Sequence, residues 1–237
     1  MDLRKAFKEI FKCYITQNML RFENIDLSLI KAANILATQR VKELRLDQEE
    51  VNTAKNILSA FDYIDHLNLN KINIDLKLYK DLNELLAHDE ALVPGQLREC
   101  YGFIPCVDHP IEPIEENKLD PILEVLNDLD QNAFKNEVSD AFSILCKMQP
   151  FYDGNKRSSL FLCNIALFKK DLGILYISPN HYQTFENHLT KFYQDNSTEL
   201  IQFLENNCVY TKQEFKVDKE LADFFKINRK TDNFTIN

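Results

Sequence analysis

A chain of 237 residues, 45% hydrophobic and 27% charged, suits one large domain, or one domain with an appended helical lobe, and its apolar content excludes a disordered polymer. Its formal charge of −9, with a pI near 5.1, argues against a nucleic-acid binder, whose affinity comes mostly from neutralising phosphates, yet leaves room for a small basic pocket. The six cysteines show no CxxC pair and no zinc spacing, "MDLRKAFKEIFKCYI" lacks the apolar run of a signal peptide, and no stretch approaches the ~20 apolar residues that span a bilayer, so a cytoplasmic protein with no membrane contact is expected.

Four glycines and seven prolines predict long helices and few tight turns. In chain order, 27–44 carries Ile30, Ala33, Ala37, Val41 and Leu44 at helical spacing. Asp47 with Glu50 three residues on is a capping box for a helix holding Val51, Ala54, Ile57, Leu58, Phe61 and Ile64. Residues 73–87 predict another helix, with a core stripe of Leu78, Leu82, Leu85 and Leu86. The stretch 88–116 changes character. Pro94-Gly95 marks a turn, and "CYGFIPCVDHPIEPI" predicts an extended loop or small β-hairpin. Its Cys100, Cys106 and His109 read as a surface hairpin with stray thiols rather than a metal site. Helices resume at 117–130 and 134–148. A third, about 155–171, is apolar on nearly every face and is expected at the centre, with Gly173 as its stop. Further helices fit 179–194, where His181 and His188 are expected to face solvent, and 197–207. The tail 227–237 lacks periodicity. The expected fold is all-α with one short β element near 99–107. The expected organisation is an N-terminal helical region over 1–66, a core over 67–210 and a tail over 211–237.

The most informative segment is "MQPFYDGNKRSSLFLC", 148–163. Gly154 lies between one helix ending near Met148 and another starting near Asn155. The unpaired N–H groups and positive dipole end of the second helix form an anion site. Gly154 removes a Cβ that would keep a phosphate away. Asn155 either donates its amide to a phosphate or caps the helix. Lys156 and Arg157 place cations at the end of the helix that disfavours them, which an anionic ligand would offset. Asp153 offers a hard oxygen for Mg²⁺. The alternative for the tripeptide alone is a capped interhelical turn with a solvated Lys-Arg pair.

"QPFYDGNKRSSL" (149–160) resembles the signature of the Fic (Fido) family, H-P-F-x-D/E-G-N-G-R-x-x-R, at Pro150, Phe151, Asp153, Gly154, Asn155 and Arg157. "PGQLRECYGFIP" (94–105) is similar to the family's segment leading into its target-binding flap. "DAFSILCKM" (140–148) resembles the helix before the motif, and "EEVNTAKNILSAFDYI" (49–64) an N-terminal helix of longer members. The resemblance spans about residues 18–208. It implies a Fic-type helical core with a β-hairpin flap, ATP and Mg²⁺ as ligands, and transfer of AMP to a protein hydroxyl. Asp153 would hold the metal, Gly154 and Asn155 the anion hole, and Arg157 a phosphate, with Lys156 adding charge. The flap, at Gly102, Phe103, Ile104 and Val107, would hold a protein segment by strand addition.

The departures matter as much. The family's catalytic histidine is Gln149 here, and an amide has no lone pair basic enough to take a proton. Losing such a base costs about 10²–10⁴ in rate. The motif's second glycine is Lys156 and its last arginine is Leu160; "GNKRSSL" is closer to the Doc toxins, which resemble kinases. The resemblance therefore leaves open an AMP transferase, a nucleotide-binding pseudoenzyme acting as a regulatory partner, and Doc-like phosphotransfer. "NMLRFENIDLS" (18–28) resembles the family's inhibitory motif S/T-x-x-x-E-G/N at Glu23-Asn24, within a possible inhibitory helix near 10–24. Met19 takes the Ser/Thr place, and the arginine such a glutamate would meet is Leu160. Protein target and oligomeric state are left open.

Overall fold

The apolar run after Gly154 forms α7 (Asn155–Lys169), whose residues from Leu160 to Leu167 are all buried. A helix without a polar face must be surrounded, and α7 packs against α1 (Leu3–Phe22), α4 (Leu76–Leu86), α5 (Asp120–Asn127) and α6 (Phe134–Met148). The protein is described by a computed structural model over residues 3–39, 46–69 and 71–232. The remaining helices are α2 (Leu29–Thr38), α3 (Gln48–Asp65), α8 (Pro179–Asp195), α9 (Glu199–Asn207) and α10 (Lys219–Asp232). The all-α expectation holds. No helix among the described residues is long and apolar enough to cross a membrane.

Local chemistry explains several boundaries. Glu50 N–H donates to Asp47 Oδ1 and Asp47 N–H to Glu50 Oε2, both at 2.9 Å, which is the capping box that opens α3. Ser28 caps α2, and Gln39 ends it in the left-handed region. The expected continuation to Val41 and Leu44 lies outside the described residues. Leu78, Leu82 and Leu86 of α4 are fully buried, as their spacing implies, and Leu85 is half-buried.

The β structure differs from the expectation. The two-stranded sheet pairs β1 (Gly173–Leu175) antiparallel with β2 (Val209–Thr211), Ile174 opposite Tyr210. In the flap region only an isolated bridge, Gly102 to Ile111, is present among the described residues. Pro105, Pro110 and Pro113 remove the N–H donors that a longer ladder would need. Gly173 does not stop α7, which ends at Lys169. A Cβ on Gly173 would stand 1.9 Å from the Tyr210 carbonyl oxygen, so the glycine admits the close approach of β2. After β2 the chain packs back onto the core. Phe215 is buried edge-on to Phe11 and Tyr14, and α10 follows with Leu221 buried. Residues 233–237 of the expected tail lie outside the described residues. His181 and His188 do not simply face solvent. Their rings lie 5.8 and 5.2 Å from Phe203 of α9, half-buried.

Buried amides fix α1 to the core. Asn18 Nδ2 donates to the Ile177 carbonyl at 2.6 Å and its Oδ1 accepts from Ile177 N–H at 2.7 Å. Gln17 Oε1 accepts from the Tyr176 hydroxyl. These bonds set the C-terminal end of α1, with Phe22 and Glu23, beside the start of α7.

Candidate functional site

The loop between α6 and α7 is closed by its own side chains. Gln149 adopts a left-handed conformation (φ 46°) as the chain leaves α6. Its Nε2 donates to the Cys146 carbonyl at 2.6 Å, and its Oε1 accepts from Asn155 Nδ2 at 3.0 Å. Asn155 also donates to the Phe151 carbonyl and accepts from Phe151 N–H, both at 2.9 Å. The Asn155 side chain thus holds the loop shape and is spent there, rather than standing ready for a phosphate.

Asn83 of α4 braces the loop from outside. Its Nδ2 donates to the Asp153 carbonyl at 2.8 Å, and its Oδ1 accepts from Gly95 N–H at 3.0 Å. Gly154 sits against the same helix at φ 71°, where a Cβ would come within 3.0 Å of Ala87 Cβ. Left-handed backbone and contact with α4 therefore account for this glycine. Phe151 is buried with its ring 4.8 Å from Tyr79, and Leu97 bridges to it from the flap entry.

What remains is a set of backbone donors without partners, at the buried Asn155 and Arg157 and the half-buried Lys156. Ser158 N–H makes the first helical bond, to the Gly154 carbonyl at 2.9 Å. The N–H groups of Asn155, Lys156 and Arg157 have no hydrogen bond among the described residues. They carry the positive end of the α7 dipole. Beside them Asp153 accepts from Gly154 N–H through Oδ1 at 2.5 Å, which leaves its second oxygen without a hydrogen bond among the described residues. Asp153, Glu23, Thr53, Asp89 and Glu90 line a cavity of about 500 Å³.

The two cations do not behave alike. Arg157 is 0% exposed. Its Nη2 meets Glu90 Oε2 at 2.5 Å, its Nη1 donates to the Leu86 carbonyl at 2.6 Å, and its Nε lies 2.8 Å from Glu23 Oε1. That last contact is an ion pair whose N–H is not aimed at the oxygen. Leu160, where the resemblance puts a second arginine, is buried core, so Glu23 meets Arg157 instead. Burial raises the Glu23 carboxyl, the Arg157 charge pulls it down, and Asp153 pushes it up again. Lys156 is looser, with Nζ 5.3 Å from the Phe22 ring centroid and 3.8 Å from Glu186 Oε1.

The flap is organised by Arg98, whose role the sequence did not disclose. The backbone N–H of Arg98 donates to the Pro150 carbonyl and its Nε to the Gln149 carbonyl, both at 2.8 Å. Its guanidinium then donates to the carbonyls of Cys100, Ile111 and Glu112. A Cβ on Gly102 would come within 3.0 Å of Arg98 Cζ, which explains a glycine there. Phe103 is 79% exposed and Tyr101 is exposed beside it. Ile104 and Val107 turn the other way, half-buried, and line a cavity of about 310 Å³ with His109 and Tyr193. The structure thus brings Gln149, Asp153, Gly154, Asn155 and the flap together around the start of α7, and turns Arg157 aside. Asn83, Thr53 and Glu90 belong to the same assembly and carried no sequence signal, while Arg98 was marked only as part of the 94–105 resemblance. Among the described residues no group of three or more His, Cys, Asp and Glu side chains is placed to hold a metal ion.

No family model matches the sequence, and no curated protein matches it. Solved structures do. Fic-1 (residues 134–508) from C. elegans superposes with a TM-score of 0.61 at 14% identity, over 93% of this chain and 64% of that one. A Fic-domain signalling protein from Bacteroides thetaiotaomicron VPI-5482 gives 0.60 at 14% identity, over 85% and 83%. BepC from Bartonella tribocorum, solved with bound AMPPNP, gives 0.51 at 14% identity, over 69% and 87%. The chain spans less than two thirds of the C. elegans structure. At these identities the shared property is architecture, and the chain has the Fic fold.

Proposed function

With the Fic fold as premise, we propose that this protein binds a nucleoside triphosphate with Mg²⁺ at the start of α7 and, with Gln149 in place of a base, does not transfer AMP. The observation that carries this reading is the set of N–H groups at 155–157 without a hydrogen bond among the described residues, beside Asp153 and beside a Gln149 already bonded to Cys146 and Asn155. Backbone donors at a helix start suit phosphate oxygens whatever the side chains. Asp153 supplies a carboxylate oxygen for the metal, and the metal offsets the repulsion between the cavity's carboxylates and a triphosphate. Lys156, weakly held by Phe22 and Glu186, is the cation free to turn toward the ligand. BepC, of the same fold, was solved with a nucleotide analogue, which supports ATP as the ligand class.

The protein then acts as a nucleotide-dependent partner, with the flap offering Tyr101, Phe103 and the backbone around Gly102 to an extended segment of another protein. AMP transfer to a protein hydroxyl is the ancestral chemistry of this reading. The test is a label-transfer assay with α-³²P and γ-³²P ATP, wild type beside Gln149→His. No transfer by wild type, with α label appearing in the variant, is expected. Transfer of α label by wild type would make it an AMP transferase, and transfer of γ label alone a kinase; either result overturns the proposal.

A further inference from the structure

We infer that Glu90, reached from α3, is a latch that withholds Arg157 from a phosphate bound at α7. Both Glu90 oxygens are engaged. Oε2 pairs with Arg157 Nη2, while Oε1 accepts from Thr53 Oγ1 at 2.9 Å and from Asn56 Nδ2 at 3.2 Å. Asn56 Nδ2 also donates to the His88 carbonyl at 2.7 Å, which fixes the turn that carries Glu90. One side of the latch is therefore α3, and the other is the motif arginine. Glu23 adds a second carboxylate, but its contact with Arg157 is misaligned, so Glu90 is the stronger hold.

The charge balance gives the latch its effect. One guanidinium faces two carboxylates, so the local sum is −1 and opposes an incoming phosphate. Arg157 can serve such a ligand only when Glu90 is displaced or neutralised. A shift of α3, through Thr53 and Asn56, is the route by which a partner on the N-terminal helices would release it. The inference rests on the reading of α7 as a nucleotide site, and its test uses one readout that does not depend on nucleotide.

Arg157 accessibility is measured by phenylglyoxal labelling, resolved by peptide mass, in wild type, Glu90→Gln, Thr53→Val and Glu23→Gln. In parallel, inorganic tripolyphosphate with Mg²⁺ is titrated into each. Glutamine keeps the shape of Glu90 and one accepting oxygen, and removes its charge and its second acceptor. Labelling of Arg157 is expected to rise in Glu90→Gln and Thr53→Val, and to rise less in Glu23→Gln. Tripolyphosphate should bind Glu90→Gln about tenfold more tightly than wild type, the size of one charged hydrogen bond. Unchanged labelling in both Glu90→Gln and Thr53→Val overturns the latch, whatever the affinities. Increased labelling with no tripolyphosphate binding by any form upholds the latch as a structural lock and removes the nucleotide reading instead.

Discussion

Replacing Arg157 by alanine should unfold this protein far more readily than a surface substitution would. The side chain is wholly buried and holds Glu90, Glu23 and the Leu86 carbonyl at once. Removing one partner of a buried ion pair costs about 3–5 kcal/mol, because the remaining charge is stranded. Here the stranded carboxylates are not fully enclosed, with side-chain exposures of 19% for Glu90 and 33% for Glu23, so solvent screens part of the loss. The lower end, about 3 kcal/mol, is the expected value. For a chain of this length that lowers the melting temperature by roughly 6–12 °C. Arg157→Lys keeps the charge but lacks the fork that serves three acceptors, and should lose about 2 kcal/mol. Adding Glu90→Gln to Arg157→Ala should recover part of the loss, since one stranded charge disappears. Urea denaturation followed by far-UV circular dichroism measures all three. A loss below about 1 kcal/mol for Arg157→Ala, the scale of an exposed pair, would refute the placement of this residue.

Other consequences follow from single contacts. Gly173→Ala drives a Cβ into the Tyr210 carbonyl, and since backbone cannot step aside the β1–β2 pair should be lost at about 3 kcal/mol or more, seen as a drop in melting temperature. Arg98→Ala removes the donors that gather Cys100, Ile111 and Glu112, so limited proteolysis should cut within 99–112 sooner, while an unchanged cleavage pattern would contradict that role. The Glu23 carboxyl lies above its ordinary 4.5 because of burial. A carboxyl raised in the folded state binds its proton more tightly there, so its contribution to folding is full below the ordinary value and is lost as pH rises through the raised one. Relative to Glu23→Gln, wild type should lose stability as pH rises above the ordinary carboxylate value, and a gain there would show the sign to be wrong.

The helices were legible where one residue type at one spacing has one physical meaning. Asp47 with Glu50 announced the start of α3, and the run from Leu160 to Leu167 announced a helix buried on all sides. β1 and β2 were not legible because three residues are too few to show a period of two. The flap's proline and aromatic content marked an irregular segment, but not that its prolines would reduce the hairpin to one bridge. Arg98 lay within the 94–105 resemblance, but its role was not legible because its partners are backbone carbonyls, which every residue has. Glu23 was placed against the position of Leu160 by motif, and the fold brought it to Arg157, three residues earlier and one turn away. Glu90 belongs to no motif; only the turn after α4 carries it to Arg157. The loop glycine was legible as a turn residue, but its neighbour Ala87 caps the end of another helix, and contacts of that kind exist only after folding.

The central claim concerns the amides at the start of α7, and calorimetric titration of the intact protein with Mg²⁺ and ATP tests it most directly. Saturable binding that weakens in Lys156→Ala is expected. Absence of binding by the wild-type protein, with its fold verified by circular dichroism, would contradict it.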